Sequence, residues 1–159
     1  MKRIFIIAAL FILPVAIIFA QENVDAEKEA IKKVIQSAYV DGLQNNGDLE
    51  LIAEGFHPGF QLIGISRGEG MWSLPIYNWV EDVKIGKKEG KYPRKEEEKV
   101  TVKFPMIDIT GTAAIVKLEF YVGKKLTYID YISLYKFGED WKLVNKIFFK
   151  IPEEEKKSE

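Results

Sequence analysis

The chain has no cysteine, one histidine, six prolines and no marked excess of either charge, with 23 basic against 24 acidic residues. Each shortage excludes something. Without cysteine there are no disulfides, so packing alone must hold the fold together even outside the cytoplasm, and the cysteine that a lipid-anchored lipoprotein needs at its cut is missing. One histidine, no cysteine and no H-E-x-x-H leave no transition-metal cluster. No phosphate-cradling glycine loop and no dinucleotide fingerprint occur, so no cofactor is expected. The balanced charge gives no reason to expect nucleic acid or an anionic membrane as partner. One motif match is chance. Gly64-Ile65-Ser66-Arg67-Gly68 fits G-x-S-x-G, but a nucleophile elbow leads straight into a helix. Here Glu69-Gly70-Met71 and Pro75 delay one, and the lone His57 lies upstream of the serine where a triad needs it downstream.

The long apolar runs are confined to one place. Lys2 and Arg3 precede an uncharged stretch from Ile4 to Ala20 that is broken by Pro14. This is the pattern of a secretory signal peptide over residues 1–20, shorter than the roughly 20 unbroken apolar residues of a membrane span. Cleavage is expected after Ala20. Ile18 is not the small residue of an ideal site, and an uncleaved N-terminal anchor is the alternative. Removing 20 of 159 residues leaves 139, enough for one domain with a real core. The product is exported, periplasmic or secreted, with no stable membrane anchor. Its domain spans 21–152, followed by a charged, disordered tail over 153–159. Aromatics are abundant, with ten Phe, seven Tyr and three Trp, enough to fill a core and also line an apolar cavity.

Apolar spacing predicts the elements. Ile31, Val34, Ile35, Ala38 and Tyr39 form one stripe of a helix over about 25–44, stopped by Asn45-Asn46-Gly47. Asp48 caps a short second helix with Leu49, Ile52, Ala53 and Phe56 inward, ended by His57-Pro58-Gly59. Phe60–Ile65 is a strand. After a glycine-bearing loop, Pro75 opens a third helix with Ile76, Trp79, Val80 and Val83 on one face. Residues 87–98 are nearly all charge, glycine and proline and read as a mobile, solvated loop. Four β-rich runs follow, Lys99–Ile109, Thr112–Val122, Leu126–Phe137 and Trp141–Ile151, as an antiparallel meander. The expected fold class is α+β, with three N-terminal helices packed on a curved mixed or antiparallel sheet.

Tyr39 with Gly42, Gly47-Asp48 opening the second helix, and Phe56-His57-Pro58 leading into the first strand form one set of marks. The C-terminal block is another, Asp130-Tyr131-Ile132-Ser133-Leu134-Tyr135-Lys136 and then Trp141-Lys142-Leu143-Val144-Asn145-Lys146-Ile147-Phe148. Together they resemble the cone-shaped nuclear transport factor 2-like superfamily, and within it the Putative lumazine-binding family, over about Val24 to Ile151. Gly138-Glu139-Asp140 departs from the Asp-Gly usual at that turn. The resemblance implies a cone with a pocket and, commonly, dimers through the outer sheet face. Such relatives include isomerases, dehydratases, cyclases and non-catalytic binders, so it does not decide the activity.

A two-residue turn in the last hairpin places Leu126, Tyr128, Asp130, Ile132 and Leu134 on one face with Trp141, Leu143, Asn145, Ile147 and Phe149. Asp130 and Asn145 would then be polar neighbours on an apolar face, either satisfying each other or presenting a base or ligand anchor to a cavity. His57 could pair with Asp130 for acid–base work, or simply end its helix. Tyr39, Trp72, Tyr77 and Trp79 would close the cone. The leading expectation is an exported protein binding a small apolar or aromatic molecule, with no evident catalysis, through Tyr39, Trp72, Tyr77, Tyr128 and Asn145. The alternatives are an isomerase- or dehydratase-like enzyme using Asp130 as general base, with His57 or Tyr128 as acid, and a homodimeric interaction module exposing Tyr121, Tyr131 and Tyr135.

Overall fold

The computed structural model describes residues 24–66 and 70–152. The stretch read as an export signal, the charged end 153–159 and Arg67, Gly68 and Glu69 lie outside the described residues. The first helix, α1, is α-helical over residues 24–34 and widens into a π-helix over Ile35–Asn46. Of its expected stripe, Ile31, Ile35, Ala38 and Tyr39 are buried and Val34 is half-buried, and Val40 and Leu43 are buried too. Burial around more than one side is what a helix between a second helix and a sheet requires. Gly47 ends it in the left-handed conformation at φ 60°, its N–H donating to the Gly42 carbonyl. Asp48 then caps α2 (Leu49–Gly55), its Oδ1 accepting from the Glu50 and Leu51 amides at 3.0 and 3.2 Å.

Six strands follow or interleave: β1 (Phe56–Ile65), β2 (Met71–Pro75), β3 (Val100–Thr110), β4 (Ala113–Val122), β5 (Lys125–Phe137) and β6 (Asp140–Lys150), with α3 (Ile76–Lys88) between β2 and β3. Their order in the sheet is β2-β1-β6-β5-β4-β3. Neighbours are antiparallel except β1 and β6, which run parallel. The meander read from alternation is therefore present, and β1 joins it by lying beside the last strand. The core fills the space between the helices and one sheet face. Outside it, Glu27 in α1 accepts from Lys136 Nζ at 2.7 Å and from the buried Trp141 indole N–H at 2.6 Å, tying the helix to the β5–β6 hairpin.

Two local differences from the sequence reading matter. Where only a glycine-bearing loop was expected, β2 forms a hairpin with β1. The Trp72 ring lies directly on Gly64, where an added Cβ would come within 2.2 Å of the indole. Met71, Trp72 and Ser73 are exposed, so β2 has no inward–outward alternation to reveal it. The Ser66 amide bonds the Gly70 carbonyl at 2.8 Å and the chain enters a strand, which removes the nucleophile-elbow setting. The second difference is the segment after α3, which is pinned rather than free. Arg94 donates its amide to Asn45 O at 2.8 Å and its Nε to Gln44 O at 2.6 Å. The Asn45 side chain in turn bonds both the carbonyl and the amide of Val100. One anchoring arginine among many solvated charges vanishes in a charge count.

Candidate functional site

Three polar side chains meet inside the apolar face: Tyr39 from the π-helical part of α1, Asp130 from β5 and Lys146 from β6. The Tyr39 hydroxyl donates to Asp130 Oδ2 at 2.8 Å. Lys146 Nζ donates to the same oxygen at 2.7 Å and also to the Tyr39 oxygen. Tyr39, Asp130 and Lys146 are 1%, 0% and 6% exposed, so this is a desolvated ion pair with a phenol bridging it. Asp130 Oδ1 has no hydrogen-bond partner among the described residues. Four rings surround the ammonium, their centroids 4.8 Å (Tyr39), 5.5 Å (Phe148), 5.6 Å (Phe120) and 6.0 Å (Trp79) from Nζ. A cation out of water gains from such faces. Burial holds Lys146 below the usual lysine range despite the attraction of Asp130. Burial first, and the Asp130 charge second, push the Tyr39 phenol well above its usual value.

A cavity of about 380 Å³ opens onto Lys146 and Tyr39. Its walls are Trp79, Phe120, Tyr128 and Phe148, with Leu62, Val122, Thr127, Gln44 and the half-buried Arg94 completing it. Tyr128 meets Phe120 and Phe148 edge to face, with ring centroids 5.6 and 5.7 Å apart. Aromatic and aliphatic side chains thus share the lining with the polar groups of Tyr39, Gln44, Arg94, Thr127, Tyr128 and Lys146. A larger hollow of about 590 Å³ beside α3 and the segment 89–98 is lined by charges of both signs, with Tyr92 its one aromatic ring.

Lys146 reaches this site through a β-bulge. Near the turn, Lys136 opposes Trp141 and Leu134 opposes Leu143, the odd-sum pairing the sequence predicts. Between Ser133 and Leu134 the register shifts, so Ser133 opposes Asn145, Ile132 opposes Lys146 and Asp130 opposes Phe148. Val144 is the extra residue. Beyond it Lys146 and Phe148 turn inward, while Ile147 and Phe149 are 49% and 59% exposed. Asn145 is therefore not a neighbour of Asp130; its side-chain amide donates to Gln61 O on β1 at 3.0 Å. A bulge re-aims every side chain past it, and simple alternation cannot foresee one.

The structure brings together Tyr39, Asp130 and Tyr128 and disperses the other expected residues. Asp130 is enclosed and does not reach the cavity wall. His57 sits where β1 breaks its pairing with β6; its Nδ1 accepts from the Gly59 amide at 3.1 Å and its ring stacks on Phe137 at 4.8 Å, so it makes no pair with Asp130. Tyr77 is 63% exposed on α3, turned outward beside the inward-facing Ile76. Trp72 only abuts the site, its ring 6.1 Å from that of Phe148. Sequence reasoning missed Lys146, Arg94, Phe120 and Phe148, and noted Trp79 only as a closing aromatic. A lysine in an apolar strand was the available signal for Lys146, obscured because alternation placed it outward. No group of three or more His, Cys, Asp or Glu placed to hold a metal occurs among the described residues.

Residues 26–149 match the model of the family described as "Putative lumazine-binding". No curated protein matches the chain. Among solved structures it is similar to an NTF2-like protein of unknown function from Shewanella baltica OS155, at 22% identity over 80% of this chain and 96% of that one, with a TM-score of 0.63. An NTF-2 like protein of unknown function from Silicibacter pomeroyi DSS-3 is 13% identical over 80% of this chain and 98% of that one, with a TM-score of 0.64. A cystatin-like fold protein of unknown function from Nostoc punctiforme PCC 73102 is 14% identical over 79% and 91%, with a TM-score of 0.57. At these identities the likeness speaks for the fold alone.

Proposed function

The chain belongs to the Putative lumazine-binding family of the NTF2-like superfamily, and from that premise we propose that it binds a small aromatic molecule in the cavity over Lys146. One observation carries this reading: an aromatic-walled space of about 380 Å³ meets a buried ammonium at Lys146. Flat walls favour a planar guest, and a few polar groups suffice to orient it. The proposal stops at binding. Asp130 is enclosed by Tyr39 and Lys146 and His57 lies elsewhere, so neither supplies a base or acid to a guest in this cavity.

The test is titration of the domain 21–152 with a panel of aromatic heterocycles and with saturated molecules of equal size, followed by tryptophan emission and melting temperature. Aromatic guests should quench emission, because Trp79 forms a wall, and should raise the melting temperature in proportion to occupancy. Val122→Trp should block both effects by filling the cavity. A panel in which nothing changes either signal, at millimolar guest, removes the proposal.

Two further parts of the reading concern where the protein works and in what form. Residues 1–20 support export, and N-terminal sequencing of the protein from the extracytoplasmic fraction should begin at Gln21. The outer sheet face supports a homodimer. Ile147, Phe149, Ile115 and Tyr135 are exposed there, whereas Tyr121 and Tyr131 are half-covered by the Lys103 and Lys117 ammonium groups. Sedimentation should give a dimer that Phe149→Lys dissociates; a wild-type monomer at high concentration ends that idea.

A further inference from the structure

If the cavity over Lys146 is a ligand site, as proposed above, its charges decide what enters. Two of the residues that line it, Lys146 and Arg94, are cationic and none is acidic. Asp130, the carboxylate paired with Lys146, is fully buried and engages Tyr39 and Lys146 through Oδ2. It neutralises Lys146 without presenting negative charge to a guest. Arg94 also borders the neighbouring hollow that Asp82, Glu89 and Glu98 line, but it forms no ion pair among the described residues. Its Nε is committed to the Gln44 carbonyl at 2.6 Å, and its two terminal nitrogens make no hydrogen bond or ion pair among the described residues.

That arginine is positioned rather than loose. Its own amide is fixed to Asn45 O at 2.8 Å, so backbone and guanidinium are both tied to the end of α1, and the side chain is half-buried. A guanidinium held this way beside apolar walls has given up part of its hydration and keeps two parallel donors in the geometry that fits a carboxylate. Lys146, with three N–H bonds and two of them engaged, keeps one further donor for an acceptor on the guest.

We propose that the cavity selects an aromatic anion: a planar ring between Trp79, Phe120, Tyr128 and Phe148 whose carboxylate is taken by the Arg94 fork. Neutral aromatics of the same shape enter more weakly, because they leave Arg94 unpaired.

The probes are 2-naphthoate and 2-naphthamide, which share ring and size and differ in charge. Wild type should bind the naphthoate at least about tenfold more tightly than the amide, as a charge-assisted bidentate contact predicts. That preference should shrink as salt rises, because the contact lies at a half-exposed group. Arg94→Gln should lose most of the preference for the naphthoate over the amide. The salt series on wild type decides the matter even if Arg94→Gln folds poorly. Equal affinity for the two probes, with no salt dependence, overturns the anion selectivity and leaves the aromatic cavity standing. Binding of neither probe by wild type removes the cavity reading and this one with it.

Discussion

Replacing Lys146 with methionine should be far more damaging than the loss of one surface charge. The substitution keeps most of the apolar stem but leaves the Asp130 carboxylate at 0% exposure, with Oδ1 already unpartnered among the described residues and only the Tyr39 hydroxyl on Oδ2. Stripping one member from a buried ion pair costs about 3–5 kcal/mol, because the remaining charge is neither solvated nor compensated. Against a total stability of roughly 5–15 kcal/mol, that is a large fraction. For a domain of this size it corresponds to a fall in melting temperature of roughly 10–20 °C. The informative comparison is the double variant Asp130→Leu with Lys146→Met. Removing both charges abolishes the desolvation penalty and leaves only the Tyr39 hydroxyl without a partner, at about 1–3 kcal/mol. The double variant should therefore be more stable than Lys146→Met alone, with a coupling of about 2 kcal/mol or more in a double-mutant cycle. Urea denaturation of the four proteins measures it. If the single changes add in the double variant, or Lys146→Met costs less than about 1 kcal/mol, the pair is not the desolvated contact described here.

The same cluster predicts a pH signature. Burial holds Lys146 below 10.5 and Tyr39 above 10.0. The unfolded chain binds the lysine proton more tightly than the folded one, so stability from Lys146 rises as pH climbs through its folded value toward 10.5. The folded chain holds the tyrosine proton more tightly, so stability from Tyr39 falls once pH passes 10.0. The stability difference between wild type and Tyr39→Phe/Lys146→Met should thus grow up to about pH 10 and shrink beyond it; a flat difference over about pH 7–11 contradicts the desolvation argument. At the other end of the sheet, Glu27→Ala should cost about 1–2 kcal/mol, because the buried Trp141 indole N–H loses its acceptor. Guanidinium denaturation reads this loss, and Glu27→Gln, which keeps an acceptor, should recover part of it. A Glu27→Ala protein as stable as wild type would falsify the tie between α1 and the hairpin.

What could be read in advance followed from periodicity. The α1 stripe, the Asp48 cap, the Gly47 stop and the four-strand meander are local consequences of spacing and turn chemistry, and each is present. The single carboxylate on an apolar strand pointed to Asp130, and a buried polar centre does form around it. The partner was misjudged because strand parity was carried past Val144, where the bulge reverses it. Arg94 was invisible for another reason. Its place depends on α1 ending beside the segment after α3, a contact about fifty residues apart that no local pattern encodes. His57 and Tyr77 were plausible from chemistry alone, but a break in the β1 ladder and an exposed position on α3 keep them from the cavity.

The bulge at Val144 also bears on how relatives should be compared. In the 11 residues of β6, positions on the turn side reach the core on odd numbers, and positions beyond Val144 reach it on even ones. A homologue with an unbulged strand, aligned from the tryptophan without a gap, would have its inward side chain in the column of Asn145. The column of Lys146 would then hold a residue pointing to the opposite face. A column-by-column survey would report the lysine as variable even where an equivalent side chain occupies the same point in space. Placing a one-residue gap at Val144 is the condition for asking whether that ammonium is shared.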